Sequence, residues 1–359
     1  MAIPKPSLVL RHLCHLFCIL FAPCVAGICL VSYKGTPKIG YQLRKRSRPL
    51  TRKHTAILRN IPVIGLGQAC LDFLGQLTAY PEEDGKCELV DLHIQCGGPA
   101  STAMVTLSRL GVPTSFLGSI SDDQFGIEII KGLEEEKVDH TFLKITPGCT
   151  SQFAFIAITE GAGNRTVFWH RGTVTPLRPA DVDLSPFSAA RILHLDGLMI
   201  EASIEAAHQA REKGLTVVMD AGTMRDGSLE LVSLVDILIA SEGFPQPLVG
   251  KDSPVEEALQ ALHRLGPTEV VITRGSKGSV GLRDQQVIAQ KAFPTKVIDT
   301  TGAGDVYHGA YIFGLLQGWD MARCMRFASA TAALKCKEVG ARRGIPGLEE
   351  IGKLLSGQQ

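Results

Sequence analysis

From Ile61 onward, short apolar runs alternate with helix-periodic segments, and this alternation limits the folds open to the chain more than any other feature. The runs are IPVIGLG (Ile61 to Gly67), TSFLGSI (Thr114 to Ile120), RILHLDG (Arg191 to Gly197), LTVVMDAG (Leu215 to Gly222), VDILIAS (Val235 to Ser241) and TEVVITRG (Thr268 to Gly275). Most end in Gly, Asp or Ser. Helical spacing of apolar residues marks Ser101 to Leu110, Phe125 to Glu136, Glu201 to Lys213 and Val255 to Leu265. Apolar strands joined through helices predict a doubly wound αβα sandwich, a parallel sheet covered on both faces. In such a sheet a ligand lies beyond the carboxyl ends of the strands, where these polar residues gather.

Two segments depart from the alternation. Residues 71–96 and 150–171 contain ELVDLHI, SQFAFIAI and RTVFWH, with Gly and Pro turns and little helical period. They flank Gly97 and Gly98, and we read them as a small β-sheet lid over the strand ends; ordinary edge hairpins are the competing reading.

Near the end of the chain stands IDTTGAGDVYHGAY, Ile298 to Tyr311. Gly302 and Gly304 let main-chain N–H groups approach a ligand closely. The run from Val306 to Gly318 reads as a helix, which places those groups at a helix N-terminus with its partial positive charge. That is a cradle for an anion. N–H donors aimed at a phosphoryl group in transfer lower the barrier, since loss of one comparable donor costs roughly 3–4 kcal/mol. Asp305, at the helix start, is placed to take a proton from an attacking hydroxyl. In the competing reading Asp299 or Thr300 only caps the helix and Asp305 only complements its dipole.

Composition narrows the partners. Lys and Arg total 37 against 36 Asp and Glu, a net charge of +1, so no chain-wide field gathers nucleic acid or an anionic membrane. The ten cysteines include no C-x-x-C pair and sit mostly among apolar neighbours, which argues against a zinc site or disulfide framework and for a reducing compartment.

Residues 1–60 differ in kind. Residues 13–31 form an apolar span of about 19 residues, near the lower bound for crossing a bilayer, interrupted by His15 and Pro23. Eight Lys and Arg residues from Lys34 to Lys53 follow, a flank that would keep everything after the span in the cytoplasm. A membrane anchor, a targeting segment and an upstream start codon are the three readings; an extension outside the working domain of residues 61–355 is preferred.

Two stretches together carry a family resemblance. GGPASTAMVTLSRLG (Gly97 to Gly111) resembles the amino-terminal signature of the PfkB, or ribokinase-like, carbohydrate kinases, and DTTGAGDVYHGAYIFGLLQG resembles their carboxy-terminal one. The likeness covers nearly all of residues 61–355 and implies the αβα sandwich with a β-sheet lid already read from the pattern. It implies ATP-dependent phosphorylation of a primary hydroxyl of a small sugar, with Mg²⁺, and admits a monovalent cation and a homodimer paired through the lid. By the same resemblance Asp305 is the catalytic base, and Gly302, Ala303 and Gly304 form the anion hole. Asp72 holds substrate hydroxyls, and Gly97 and Gly98 let the sugar lie against the backbone. ATP falls to Thr301, Gly302 and Gly304 with Thr273, Gly275 and Gly278 of ITRGSKG, a loop that reads equally as a Gly-rich turn.

Two departures qualify the likeness. Thr102 stands where the family signature has Asn, changing the polar contact to the sugar. The family's N-x-x-E motif corresponds to SEGF, Ser241 to Phe244, leaving Glu242 as the one candidate for the metal. GGPASTA, GAGDVYHGA, FASATAALKC and GARRGIP are most similar to the sulfofructose kinase-like subgroup, which implies a ketose or related sugar with an anionic end. Arg171 and His170 are then candidates for meeting that end. Arg342 and Arg343 read either as a basic cover for ATP phosphates or as a solvated loop. A non-catalytic nucleotide- or sugar-sensing module with the same fold is the alternative; a dinucleotide oxidoreductase is disfavoured because GLGQAC, after the first strand, lacks the full glycine fingerprint.

Overall fold

The computed structural model describes residues 58–159 and 165–357. The apolar span at 13–31 and its basic flank lie outside the described residues; among those described, no helix is long and apolar enough to cross a membrane. In chain order the first half contains β1 (Val63–Leu66), β2 (Cys70–Leu77), β3 (Asp91–Gly97), α1 (Pro99–Arg109), β4 (Thr114–Leu117), β5 (Ser119–Ser121), α2 (Gln124–Glu135), β6 (Lys144–Thr146), β7 (Phe153–Thr159) and β8 (Arg165–His170). Then come β9 (Ile192–Leu195), α3 (Ile200–Glu212), β10 (Thr216–Ala221), α4 (Ser228–Val232), β11 (Ile237–Ser241), α5 (Gln246–Val249), α6 (Val255–His263), β12 (Glu269–Thr273), β13 (Ser279–Arg283) and β14 (Gln286–Gln290). Three helices close the chain: α7 (Ala303–Leu316), α8 (Met321–Lys335) and α9 (Leu348–Leu355).

Eight strands form the main sheet in the order β14-β13-β12-β11-β10-β9-β1-β4. It is parallel from β4 to β12 and antiparallel beyond. Helices α1, α7 and α8 cover one face, and α3, α4 and α6 the other.

Side-chain alternation assigns each strand residue to a face. Ile64 and Leu66, Leu193 and Leu195, Val217 and Met219, Leu238 and Ala240, and Val270 and Ile272 all join the core under α3 and α6. The intervening residues therefore point at α1 and α7. Gly65 is one of them, and a Cβ there would stand 2.6 Å from Met104 Cγ of α1, so this glycine sets how closely helix and sheet approach. His194, Asp220 and Glu269 belong to that set, and all three meet α7. Leu58 is fully buried in the opposite core, three residues ahead of the expected start at Ile61.

The two segments read as a lid form one sheet, in the order β3-β2-β7-β8, with β2 and β7 parallel and the outer pairs antiparallel. Register puts Gln95, Asp72, Ala154 and Trp169 in one row on one face. Ile94, Phe73, Phe155 and Phe168 make the adjacent row on the other face, where Phe125 of α2 packs on Phe73 and Phe153.

Several boundaries differ from the sequence reading. The run Thr114 to Ile120 is two strands, β4 and β5, broken at Gly118. The helix expected from Val306 begins at Ala303, because the Gly-rich motif itself forms its first turn. The hairpin β13–β14 escaped the reading because it turns on Asp284 and Gln285, both at positive φ (49° and 61°), instead of the Asn-Gly or Asp-Gly pair that signals such turns.

Buried Glu269 binds Arg283 of β13 at 3.1 Å and accepts a hydrogen bond from Tyr311 of α7, tying the antiparallel edge to the helix that starts at the Gly-rich motif. Tyr311→Phe removes one donor to a buried carboxylate and is expected to cost about 1–3 kcal/mol in urea unfolding. An unchanged midpoint would show that the bond contributes nothing.

Candidate active site

The carboxyl ends of β1, β9, β10, β11 and β12 open at one edge of the sheet, and two clefts lie there. The larger, about 750 Å³, runs under the lid and is lined by Cys70, Asp72, Ala154 and Trp169 among others. The smaller, about 260 Å³, lies over the strand ends and is lined by Asp220, Gly222, Ser241 and Thr273 among others. Gly302, Asp305, Arg165 and Arg225 line both. The start of α7 is thus the common wall of the two.

The geometry of that wall depends on Asp299. It is fully buried; Oδ1 accepts from the Thr301 N–H (2.8 Å) and hydroxyl (2.7 Å), and Oδ2 from the Gly340 N–H (2.6 Å). The first carboxylate of the motif is therefore a staple between the turn and the loop after α8. Gly302 follows as the N-cap in the left-handed region, φ 73°, where a Cβ would also stand 2.6 Å from that of Ala341. The N–H groups of Gly304 and Asp305 reach no backbone acceptor among the described residues, and a Cβ at Gly304 would meet nothing within 4 Å. These donors face open space at the positive end of a helix.

Helix α1 provides the contrast. Its N-terminus also follows glycines, but there Asp196 accepts the N–H groups of Ala100 (3.4 Å), Gln68 (2.6 Å) and Leu198 (3.1 Å). A carboxylate of the protein takes the place of a bound anion at α1, whereas α7 presents its donors to the cleft.

Asp305 is half-buried, and its pKa is pushed up to about 6, first by burial and next by the charge of Asp220, with His308 and Arg165 opposing. Asp220 is paired with His308 Nε2 at 3.2 Å. His308 stands three residues after Asp305, on the same side of α7. Its ring lies 5.6 Å from that of His194, which burial pushes down to about 3 and so keeps neutral. An acid whose conjugate base dominates near neutrality suits proton acceptance.

On the lid side Asp72 is buried, and its pKa is pushed up to about 6, mainly by burial; it accepts a hydrogen bond from Cys70 Sγ at 3.0 Å. A Cβ at Gly97 would stand 2.0 Å from Asp72 Oδ2, so this glycine leaves room for the carboxylate and lies behind it. Gly98 lines the cleft at φ 94°, with a Cβ site 2.4 Å from Gln68 O. Thr102 is fully buried inside α1 and lines neither cleft; its hydroxyl has no hydrogen-bond partner among the described residues. Arg171 does line the larger cleft, its guanidinium 5.2 Å from the centroid of Trp169. His170 faces away, stacked on Phe153. Arg342 is neither a phosphate cover nor a solvated residue: it is buried and donates to Ser101 Oγ (2.8 Å) and Gly97 O (3.3 Å), lowering the pKa of Asp72 from behind. Arg343 is exposed beside Glu338.

On the other side Thr273 lines the smaller cleft, whereas Gly275 and Gly278 line neither. Gly278 makes its close approach to the backbone of Gln290, closing the turn into β13. Glu242 is held by Arg274 (3.1 Å) and Lys277 (3.2 Å) outside both clefts. Asp196, Asp220 and Asp305 are the carboxylates lining the smaller cleft, and Asp196 is already engaged by backbone N–H groups. No cluster of three acidic, His or Cys side chains able to cage a metal exists among the described residues. That donor set fits Mg²⁺ carried by phosphates and water with one or two carboxylates, the usual mode for this ion.

The sequence reading missed Arg165, Asp220, His308 and Trp169. The Asp305/His308 spacing was a usable signal. Arg165 of β8 was not, because only folding brings a lid strand to the Gly-rich turn, where its Nη1 donates to Thr300 Oγ1.

The two glycines of the cradle separate fold from chemistry. Gly302→Ala introduces strain and a collision with Ala341 and is expected to cost about 1–3 kcal/mol in thermal or urea unfolding. Gly304→Ala is expected to melt at or above wild type yet lose turnover, because its methyl enters the cleft; full turnover would mean that no anion is held there. The raised pKa of Asp305 gives a third expectation. Its ionisation weighs against the folded state, a penalty absent below about pH 4, growing to about pH 6 and constant above. Asp305→Asn is accordingly expected to melt above wild type at pH 8 and level with it at pH 4, as read by scanning calorimetry.

The pfkB family carbohydrate kinase model matches residues 60–347. The chain is 26% identical over 319 residues to a 5-dehydro-2-deoxygluconokinase of Clostridium perfringens, covering 83% of this chain and 93% of the relative. It is 29% identical over 273 residues to a ribokinase of Haemophilus influenzae, covering 73% and 88%. Among solved structures it superposes on a ribokinase of Arabidopsis thaliana complexed with ribose and ATP, with TM-score 0.71, 25% identity, and coverage of 82% of this chain and 98% of that one. With the signature pair, the αβα sandwich and its lid in hand, the chain belongs to the PfkB family of carbohydrate kinases.

Proposed function

We propose that the chain transfers the γ-phosphoryl group of ATP to a primary hydroxyl of a small sugar carrying an anionic end. The observation that carries this reading is the shared wall: the open N–H groups of Gly304 and Asp305 and the Asp305 carboxylate lie where a cleft under the lid meets a cleft over the strand ends. The sugar occupies the first, oriented by Asp72 accepting from its hydroxyls. ATP occupies the second, with its phosphates toward α7. The attacking oxygen forms its bond to the γ-phosphorus as the bond to the β–γ bridging oxygen breaks. The hydroxyl proton passes to Asp305, and charge on the moving group is met by the cradle and by Arg165. Bound Mg²⁺ would neutralise phosphate charge.

An anionic substrate is supported by Arg165, Arg171 and Arg225 lining the larger cleft; Arg171, braced on Trp169, offers a fork to a carboxylate, sulfonate or phosphate. The Arabidopsis relative's complex with ribose and ATP supports the nucleotide and sugar assignments. A homodimer through the lid is supported by Leu92, Ile94 and Phe168, large apolar side chains exposed on that sheet. The need for ATP supports a cytoplasmic location. A sensing module without catalysis is disfavoured by an intact Asp305 facing the cradle.

The test is ADP release from purified protein against a panel of sugars, sugar acids and sugar phosphates; no release with any member would overturn the reading. With a substrate in hand, Asp305→Asn is expected to lower kcat by roughly 100-fold or more. Asp72→Ala is expected to raise the sugar KM strongly while leaving the ATP KM unchanged. Arg171→Ala is expected to weaken anionic substrates more than neutral ones; equal loss for both would remove the anionic end from the proposal.

A further inference from the structure

Lys335, the last residue of α8, is a fully buried amine that neither cleft uses. Its Nζ donates to Asp299 O at 2.9 Å. A buried ammonium is costly unless it is paired and hydrogen-bonded. The neighbouring residues are stitched as well: Ile298 N (2.8 Å) and Asp299 N (3.3 Å) both donate to Cys336 O. The end of α8 therefore grips the Asp299 turn from beneath, with Asp299 setting the geometry of Thr301 and Gly302 above. Burial lowers the pKa of Lys335 and the carboxylates of Asp299 and Asp305 oppose that shift, so the amine lies beneath the turn with acidic groups favouring its charged form.

This arrangement bears on the monovalent cation that the family resemblance admits. A dissolved cation that braces the Gly-rich turn from beneath needs carbonyl oxygens there, and Asp299 O is already bound by Lys335. The donor set does not fit a second cation at that place. Resting on the kinase reading above, we propose that the Lys335 ammonium is the protein's own cation beneath the anion cradle: a positioning residue that holds the Asp299–Gly304 turn and makes ATP binding independent of dissolved potassium.

The test is binding of the nonhydrolysable analogue adenylyl imidodiphosphate with Mg²⁺, measured by calorimetry in potassium, sodium or tetramethylammonium chloride at equal ionic strength. Wild type is expected to show the same affinity in all three. Lys335→Met keeps the apolar stem and removes the charge; it is expected to bind about tenfold more weakly in every salt, the loss of one charge-assisted bond that orders the cradle. Lys335→Ala leaves space for a small cation and is expected to bind weakly in tetramethylammonium chloride and to recover in methylammonium or potassium chloride. A residue that only stabilises the fold would lower the melting temperature without this rescue.

Wild-type affinity that rises with potassium, or a Lys335→Met variant that binds as wild type, would overturn the proposal. If neither variant folds, the wild-type salt comparison still decides it. Absence of binding by wild type in any salt would instead overturn the kinase reading, and this proposal with it.

Discussion

The buried carboxylate of Asp299 is the constraint on which the site depends. One side chain accepts from the amide and hydroxyl of Thr301 and from the amide of Gly340, and its own carbonyl receives Lys335. With these bonds made, the chain can enter α7 only through a left-handed residue packed on Ala341, which glycine alone tolerates. The N–H groups of the first turn then point into the cleft. An unpaired carboxylate at this depth would be strongly destabilising, so the turn and the loop after α8 are ordered together.

A second constraint is the two-residue period of the strands. Because β1, β9, β10 and β12 present their apolar set to α3 and α6, the alternate residues face α1 and α7, and His194, Asp220 and Glu269 are among them. Asp220 and His308 thereby come to stand beside Asp305, whose pKa burial raises first and Asp220 next, with His308 opposing; Glu269 anchors the middle of the same helix through Tyr311. The same arithmetic in the lid turns Asp72 and Trp169 to the cleft and Phe73 and Phe155 to α2. Packing and chemistry share one register, so a one-residue slip in any of these strands would remove both.

Much of the site was legible because its chemistry is local. A glycine-rich heptad before an apolar helix encodes an N-terminus with open donors, and the spacing of Asp305 behind Gly302 and Gly304 is fixed by helix geometry alone. Residues whose roles depend on distant chain were not legible in the same way. Gly97 gives room to the Asp72 carboxylate; Arg342, read as phosphate cover or solvated loop, is buried under Ser101 and Gly97; Glu242 is held by Arg274 and Lys277, outside both clefts. In each case a partner between 25 and more than 200 positions away decides the environment, and no local pattern encodes that meeting.

The sequence by itself determined the alternation of apolar strands with helices as far as β12, the parallel part of the sheet, the two β-rich segments set apart from it and the helix start that can hold an anion. These follow from periodicity and from residues whose backbone freedom or charge acts within one turn. Tertiary structure alone decided which helix N-terminus stays open, since Asp196 closes that of α1 from 96 residues away. It alone decided which acids ionise late, because burial and the neighbouring carboxylate that raise Asp305 come from packing. And it alone brought Arg165 and Lys335 to opposite sides of the same turn, since a charge acts through distance in space and the chain records only distance along itself.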